Sequence, residues 1–533
     1  MAQAVKARTG GHLVAESLEA LGAEVCVGVP GVHALAIWEG LRATEVRAVG
    51  FRTELNAGFA ADGYARVSGR PAPLLLSTGP GALISLAALM EAASAHVPVV
   101  AVASQIPSDL LGAGRGYLHE LSDQLASFAP VVKWTARAES AEAIPEVLAE
   151  GWRRALTPPS GPVFVEIPVD CLGGETSVSP PDDLEAGPTA PPMPDVDEAA
   201  RLLAHARRPV VWAGGGVLRS GAWQELAELT RRLDAPVATT YMGKGAFPED
   251  DPLSAGCACD EGAFRELVEG ADVVLCVGTE LGAETTQQYG LAFSGRLVQI
   301  DAAPERIGAT YPALGLVGDA KAILAALLER VEPGSRDGAE RAAAVRRRIE
   351  AGLDEQEHEL ERGLLRTIRE ALPRDAVHAW DMTILAYWAA AHLPALAPRR
   401  FLYPLGSGTL GYAWPAALGA SLALPGTPAL AVAGDGGVLY GLQELAVARQ
   451  HGLDAVLLVV DDGGYGILRE YQQDSFGETT SVDFAGPDFV GLAHAYGVRA
   501  ESTTPDRLAD ALAGEGPALV HLPARLEMWT PTR

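Results

Sequence analysis

Basic charge is what this chain most lacks: 41 Lys and Arg stand against 68 Asp and Glu, a formal net charge of −27. Nucleic acid and anionic membrane surfaces both demand a basic footprint, so neither is an expected partner. Acidity of this size speaks chiefly to solubility and self-repulsion and names no substrate. Cysteine is scarce as well, with five residues: Cys26, Cys171, Cys257, Cys259 and Cys276. The number is odd, Cys257-Ala258-Cys259 is not C-x-x-C, and no second Cys or His pair lies at zinc-ligand distance. A zinc site is therefore not expected, and Cys26 and Cys276, inside strand-like apolar runs, read as buried free thiols. Uninterrupted apolar length is also wanting. The uncharged stretch from Pro71 to Met90 is long enough for a bilayer, but Pro71, Pro73, Pro80 and the Gly79-Pro80-Gly81 turn break it, so it is not a membrane helix. Met1 to Gly11 carry no apolar stretch, and no secretory leader is expected. The expectation is a reduced, cytoplasmic protein.

What is present is material for large cores. The chain has 533 residues, 48% of them hydrophobic, and 59 glycines suited to tight turns between strands and helices. Its mean hydropathy is +0.13. That length accommodates about three domains of ordinary size. Helix-like and strand-like segments alternate, which implies an α/β class with three doubly wound parallel sheets. The expected boundaries are an N-terminal domain over 1–172, a Pro- and Gly-rich linker over 173–194, a middle domain over 195–331, a helical connection over 332–366 and a C-terminal domain over 367–533. Strand candidates are 25–29, 46–51, 73–76, 97–103 and 163–167 in the first domain and 209–213, 236–240, 273–277 and 297–301 in the second. In the third they are 429–433, 456–460 and 518–522. The three domains read as one architecture used three times. Gly214-Gly215-Gly216 follows a strand but falls short of G-x-G-x-x-G, so a dinucleotide is not the expected ligand there, with FAD kept as an alternative.

The chemistry concentrates in Gly434-Asp435-Gly436 and Asp462-Gly463-Gly464. Each follows an apolar run that reads as a buried strand, and Leu442 to Arg449 between them has helical apolar spacing. That is a β-α-β unit with a carboxylate at the carboxyl end of each strand, where open α/β sheets bind ligands. Two such carboxylates beside glycines that admit a diphosphate make a site for Mg²⁺ and a phosphorylated cofactor.

Three further blocks accompany this pair: Val29-Pro30-Gly31 with Thr53-Glu54 to Arg66 and Ser77 to Gly81, then Gly406 to Ala417, then Gly464 to Gln472. Taken in order, they resemble thiamine diphosphate enzymes of the acetohydroxyacid synthase, 2-oxo acid decarboxylase and benzaldehyde lyase family. The resemblance implies decarboxylation, carboligation or both on a 2-oxo acid, with thiamine diphosphate and Mg²⁺ as cofactors. It makes Glu54 the carboxyl that touches the aminopyrimidine, with a raised pKa that keeps its proton available. It implies Asp435, Asp462 and the Gly464 carbonyl as metal ligands. Cofactor contacts fall to Pro30, Thr78, Gly79, Thr383, Gly408, Leu410, Gly434, Gly436, Gly437, Tyr465, Gly466 and Ile467, with Leu410 bending the cofactor.

The chain departs from the family at several points. Asp462 stands where Asn is usual, Thr53 where His is common, and Gly437 where Ser often follows. Asp381-Met382-Thr383-Ile384 lacks the Gln and His of the usual phosphate contact. His119 is a second catalytic candidate, and Val32, His33, His119 and Tyr471 are substrate candidates. Each histidine reads equally as a core residue. The neighbourhood of His33 and of Arg115 to Leu121 is similar to the guanidino-2-oxopentanoate decarboxylase branch. An acetolactate synthase catalytic subunit is the alternative, although Gly278 to Gly282 lacks that enzyme's Arg and acidic pair. A non-catalytic, regulatory homologue is the alternative from another class. Because the first and third domains each hold part of the site, the resemblance also implies a homodimer or homotetramer with sites shared between subunits.

Overall fold

The computed structural model describes residues 8–181 and 193–532. Residues 1–7, half of the expected linker (182–192) and residue 533 lie outside them. Strands β1 (Val25–Gly28), β2 (Arg47–Gly50), β3 (Ala72–Leu76), β4 (Val99–Gln105), β5 (Trp134–Arg137) and β6 (Val163–Pro168) form one sheet in the order β2-β1-β3-β4-β6-β5. Strands β7 (Pro209–Ala213), β8 (Val237–Thr239), β9 (Ser254–Gly256), β10 (Val273–Val277), β11 (Arg296–Asp301) and β12 (Ala313–Val317) form a second, ordered β12-β11-β10-β7-β8-β9. The third sheet holds β13 (Val377–Trp380), β14 (Phe401–Leu402), β15 (Ala429–Gly434), β16 (Ala455–Asp461), β17 (Arg499–Ser502) and β18 (Ala518–Pro523), ordered β14-β13-β15-β16-β18-β17. Strand pairings are parallel throughout, and helices connect the strands.

Central strands are the apolar runs of the sequence. β4 and β3 are buried along their whole length, as parallel strands covered on both faces must be. The three sheets share the expected doubly wound, all-parallel architecture but not a single strand order. The first and third sheets share one strand order, whereas the second places its first strand at the centre of a different order, the arrangement of dinucleotide-binding folds. The helical connection extends to Ala371, past the expected limit at 366. It comprises helices Gly338–Asp354 and Glu359–Ala371, each with an apolar face against the core.

The chain divides into two compact units. One comprises Met1–Thr189, Gly406–Gly426 and Gly441–Asp454, the other Ala190–Leu405, Thr427–Tyr440 and Ala455–Arg533. In the first unit, helix Glu54–Ser68 packs on helix Ala413–Ala423. Glycine makes this approach: a β-carbon at Gly419 would collide with the carbonyl of Ala60, and one at Gly63 with that of Ala416. In the second unit one large core joins the second and third sheets to the connecting helices. No helix among the described residues is long and apolar enough to cross a membrane.

Candidate cofactor and substrate sites

In the second unit the candidate residues gather at the carboxyl ends of β13, β15 and β16, three adjacent strands. The order of this sheet reverses between β13 and β15, the switch point at which open α/β sheets leave a crevice. Asp435 begins a short helical turn directly after β15. It is 1% exposed, and neither carboxylate oxygen has a hydrogen-bond partner. Burial, reinforced by the charges of Asp461 and Asp462, pushes its pKa up to about 7. An orphaned carboxylate in such a place is costly unless a cation meets it.

Glycines crowd around it. A β-carbon at Gly436 would lie 2.5 Å from Cε1 of Tyr465, and one at Gly437 would lie 2.8 Å from Oδ2 of Asp381. One at Gly434 would approach Oγ1 of Thr383 to 3.3 Å, so Thr383 stands beside the glycine turn. Thr383 precedes helix Ile384–His392, whose free N–H groups suit an anion. Gly464 and Tyr465 are held by an antiparallel bridge to Asp483 and by the Tyr465 N–H donating to the Val482 carbonyl at 2.8 Å. Gly466 opens helix Gly466–Phe476, Ile467 leans on the core, and Tyr471 is 54% exposed. Among the described residues, no group of three or more His, Cys, Asp and Glu side chains is arranged to hold a metal. A cation here would complete its shell with main-chain and cofactor oxygens.

The first unit carries the other candidates. Glu54 is the first residue of helix Glu54–Ser68, whose N-cap Thr53 accepts the Asn56 N–H at 3.3 Å. Its side chain is half-buried, and burial raises its pKa, opposed by a backbone hydrogen bond. A β-carbon at Gly81 would lie 2.9 Å from Oε1 of Glu54, so the glycine block and the glutamate meet. Gly79 has φ 66° and donates its N–H to Oε1 of buried Gln124 at 2.8 Å. Gln124 in turn donates to Glu166 at 2.9 Å. Thr78 is fully buried with its hydroxyl 2.9 Å from that of Ser104, so it braces this turn.

Pro30 and Gly31 follow β1, and Gly31 packs directly on Ser77. Val32 is 58% exposed. The rings of His33 and His119 are 5.0 Å apart, edge to face, and the Nδ1 atom of each is buried without a hydrogen-bond partner. Burial first, then the neighbouring His119, lowers the pKa of His33. His119 also sits at φ 68° with its carbonyl against Gly79. Gly408, at φ 70°, and Leu410 lie in a turn of this same unit. Gly406 and Ser407, in that turn, donate their N–H groups to buried Glu91 at 3.3 and 2.7 Å.

Several residues escaped the sequence reading. Glu91 is one of them; Arg66 binds both Glu91 at 2.8 Å and Asp62 at 2.6 Å, and Tyr412 donates to Asp62 at 2.6 Å. Glu444, fully buried, accepts N–H groups from Arg52 and Asn56. Asp461 faces His521, with Oδ2 2.9 Å from Nε2, and Arg469 lies against Asp462. A buried-acid signal was available only for Glu444, within the apolar helix pattern Leu442 to Ala448.

A switch-point crevice with an orphaned carboxylate, a glycine cradle and a helix start defines an α/β protein with a crevice suited to a phosphorylated cofactor. Comparison with known proteins gives the family. Residues 8–127 match the N-terminal TPP binding domain of thiamine pyrophosphate enzymes, 196–327 the central domain and 381–522 the C-terminal TPP binding domain. The chain belongs to the thiamine pyrophosphate enzyme family and is a thiamine diphosphate-dependent enzyme of the 2-oxo acid decarboxylase and acetolactate synthase kind.

It is 38% identical, over 98% of this chain and 94% of the relative, to a Pseudomonas aeruginosa protein described as "Probable 2-ketoarginine decarboxylase". It is 31% identical, over 94% of this chain and 89% of the relative, to a "Probable acetolactate synthase large subunit" of Methanocaldococcus jannaschii. Among solved structures, the Rhodococcus jostii thiamine diphosphate-dependent 4-hydroxybenzoylformate decarboxylase superposes with a TM-score of 0.84. That match covers 98% of this chain and all of the other at 24% identity, and it speaks to the fold.

Proposed function

We propose that the chain is a Mg²⁺-dependent decarboxylase of a 2-oxo acid with a cationic, guanidino-bearing side chain, and that 2-ketoarginine is the first substrate to test. The observation that carries the metal is Asp435, a buried carboxylate with no hydrogen-bond partner, beside two further carboxylates and a glycine cradle. Asp435, Asp462 and the carbonyl of Gly464 would hold Mg²⁺. The N–H groups of Gly436 and Gly437, with Thr383, would take diphosphate oxygens. Bound thiamine diphosphate supplies an electron sink for the pair left when carbon dioxide departs. Glu54, its pKa raised by burial, keeps a proton available to the aminopyrimidine nitrogen. Leu410 would pack against the bound cofactor, and the carbonyl of Gly408 would be available to accept a hydrogen bond from it. His33 and His119, each with an unpaired buried nitrogen, orient the substrate carboxylate and move protons, with Val32 and Tyr471 bounding the side chain.

A 2-ketoarginine decarboxylase among the relatives, covered nearly end to end, supports the guanidino substrate. The acetolactate synthase relatives support the second reading, carboligation of short 2-oxo acids. The five free, buried cysteines support a reduced, cytoplasmic setting. Exposed Val32, Leu35, Ile84 and Leu118 on one unit, and Leu468, Tyr471 and Phe476 on the other, support a homo-oligomer that covers them. The expected domain limits, 1–172, 195–331 and 367–533, stand as part of this proposal.

The deciding experiment is a panel of branched, aromatic, guanidino and short 2-oxo acids, read as CO₂ release with Mg²⁺ and thiamine diphosphate. The greatest kcat/KM is expected for the guanidino acid. Acetolactate from pyruvate, together with a flavin spectrum, would move the assignment to the second reading, and no release from any acid would overturn both.

A further inference from the structure

Position 462 is where this chain leaves its family's motif, with a carboxylate in place of an amide, and the structure contains the group that answers it. Asp435, Asp461 and Asp462 crowd the ends of two neighbouring strands. Asp461 has partners of its own: His521 at 2.9 Å, and the N–H of Gly463, which donates at 3.1 Å. Asp435 has none. Asp462 meets Arg469, whose Nη1 is 3.3 Å from Oδ2 and whose Nη2 donates to the Asp462 carbonyl at 3.4 Å.

Both side chains are only 12% exposed, so solvent screens the pair weakly. The guanidinium is oriented from behind, because Nε donates to Oδ1 of Asp483 at 2.7 Å. Asp483 is itself fixed by the bridge to Gly464. The same Oδ2 lies so close to the first residue of helix Gly466–Phe476 that a β-carbon at Gly466 would collide with it. It therefore also sees the positive end of that helix.

Resting on the Mg²⁺ and thiamine diphosphate reading above, we propose that Arg469 is the positioning residue that makes a carboxylate workable at 462. The guanidinium takes Oδ2, neutralises the surplus charge beside an anionic cofactor, and leaves the other oxygen to the cation. A carboxylate offers acceptors on both oxygens, whereas an amide offers one acceptor and a donor. An amide here would have to turn its N–H groups toward a guanidinium or withdraw its oxygen from the metal. Asp462 and Arg469 are therefore a matched pair, and each loses its value without the other.

The test is a double-mutant cycle with Asp462→Asn, Arg469→Leu and both together, read by equilibrium dialysis as Mg²⁺-dependent retention of thiamine diphosphate. Melting curves report folding. Arg469→Leu in the otherwise native chain should weaken retention about tenfold or more, the worth of a charged hydrogen bond. In the Asp462→Asn background the same change should alter retention by less than about threefold. Equal losses in both backgrounds, or none in either, would overturn the proposal while leaving the cofactor reading intact. A native chain without Mg²⁺-dependent retention would overturn that reading and this pairing together. Should Arg469→Leu not fold, Arg469→Lys carries the same comparison. It keeps the charge without the fork, so a smaller loss, still confined to the native background, is expected.

Discussion

The side chain of Glu444 accepts the Nδ2–H of Asn56 at 3.1 Å, and both residues are fully buried. The same carboxylate receives the backbone N–H of Arg52, with both oxygens at 3.1 Å. Glu444 thus satisfies the entrance of helix Glu54–Ser68 and fixes the backbone on either side of Glu54. It does so at a cost, since burial pushes its pKa up to about 7, against the opposing hydrogen bonds from Asn56, Arg52 and Thr53.

The sign of the consequence follows from that direction. A carboxyl titrating near 4.3 when unfolded and about 7 when folded holds its stability contribution at low pH and loses it as pH rises through that interval. Relative to Glu444→Gln, the native chain should lose on the order of 3 kcal/mol between about pH 4.5 and 7. Urea unfolding across that range checks it, and parallel curves for the two chains would refute the assignment.

Glu54→Gln should leave folding and cofactor binding largely unchanged while activity falls by orders of magnitude, a loss confined to kcat. Gly81→Ala reaches the same group sterically, because the new β-carbon would lie 2.9 Å from Oε1 of Glu54. A displacement of that order should cost roughly ten- to a hundredfold in kcat. Full activity in either variant, measured as steady-state CO₂ release, removes Glu54 from the chemistry.

Asp435→Ala should abolish Mg²⁺-dependent retention of thiamine diphosphate and at the same time relieve the repulsion among the three carboxylates at these strand ends. The cofactor-free variant should therefore melt at or above the native temperature. Equilibrium dialysis and melting curves without cofactor give the two readings, and metal-dependent binding that survives would put the cation elsewhere.

Gly419→Ala sets a methyl group against the carbonyl of Ala60, where helices Glu54–Ser68 and Ala413–Ala423 meet. Backbone cannot yield as a side-chain tip can, so a destabilisation of about 2 kcal/mol or more is expected. A urea midpoint equivalent to less than about 0.5 kcal/mol of change would show that the helices have slack.

The proposed homo-oligomer, with sites shared between its subunits, predicts complementation. Glu54→Gln and Asp435→Ala chains, each inactive alone, should regain part of the activity when mixed, since one of two shared sites becomes native. Subunit exchange confirmed by a tag, with no regained activity and both parents folded, would contradict a site built from two chains.

Much of this enzyme was legible in one dimension. Gly434 to Gly437, Asp462 to Ile467 and Thr53 to Arg66 are contiguous blocks, because a tight turn or the start of a helix takes all its parts from neighbouring residues. Most central strands were equally plain, since burial on both faces demands unbroken apolar runs such as Val456 to Val460, but the buried interior strand Val377–Trp380, interrupted by His378, was missed. The edge strands Trp134–Arg137, Ser254–Gly256 and Arg499–Ser502 were not plain, for edges are short or half-exposed and carry mixed residues. The tertiary structure alone paired Glu444 with Asn56, 388 positions away, and Glu91 with Ser407, 316 positions away. It also set Arg469 on Asp462 and gave the middle sheet its own strand order. A buried charge leaves no local periodicity, and its partner is selected by the fold that brings distant segments together, so residue types could suggest these groups but only packing could join them.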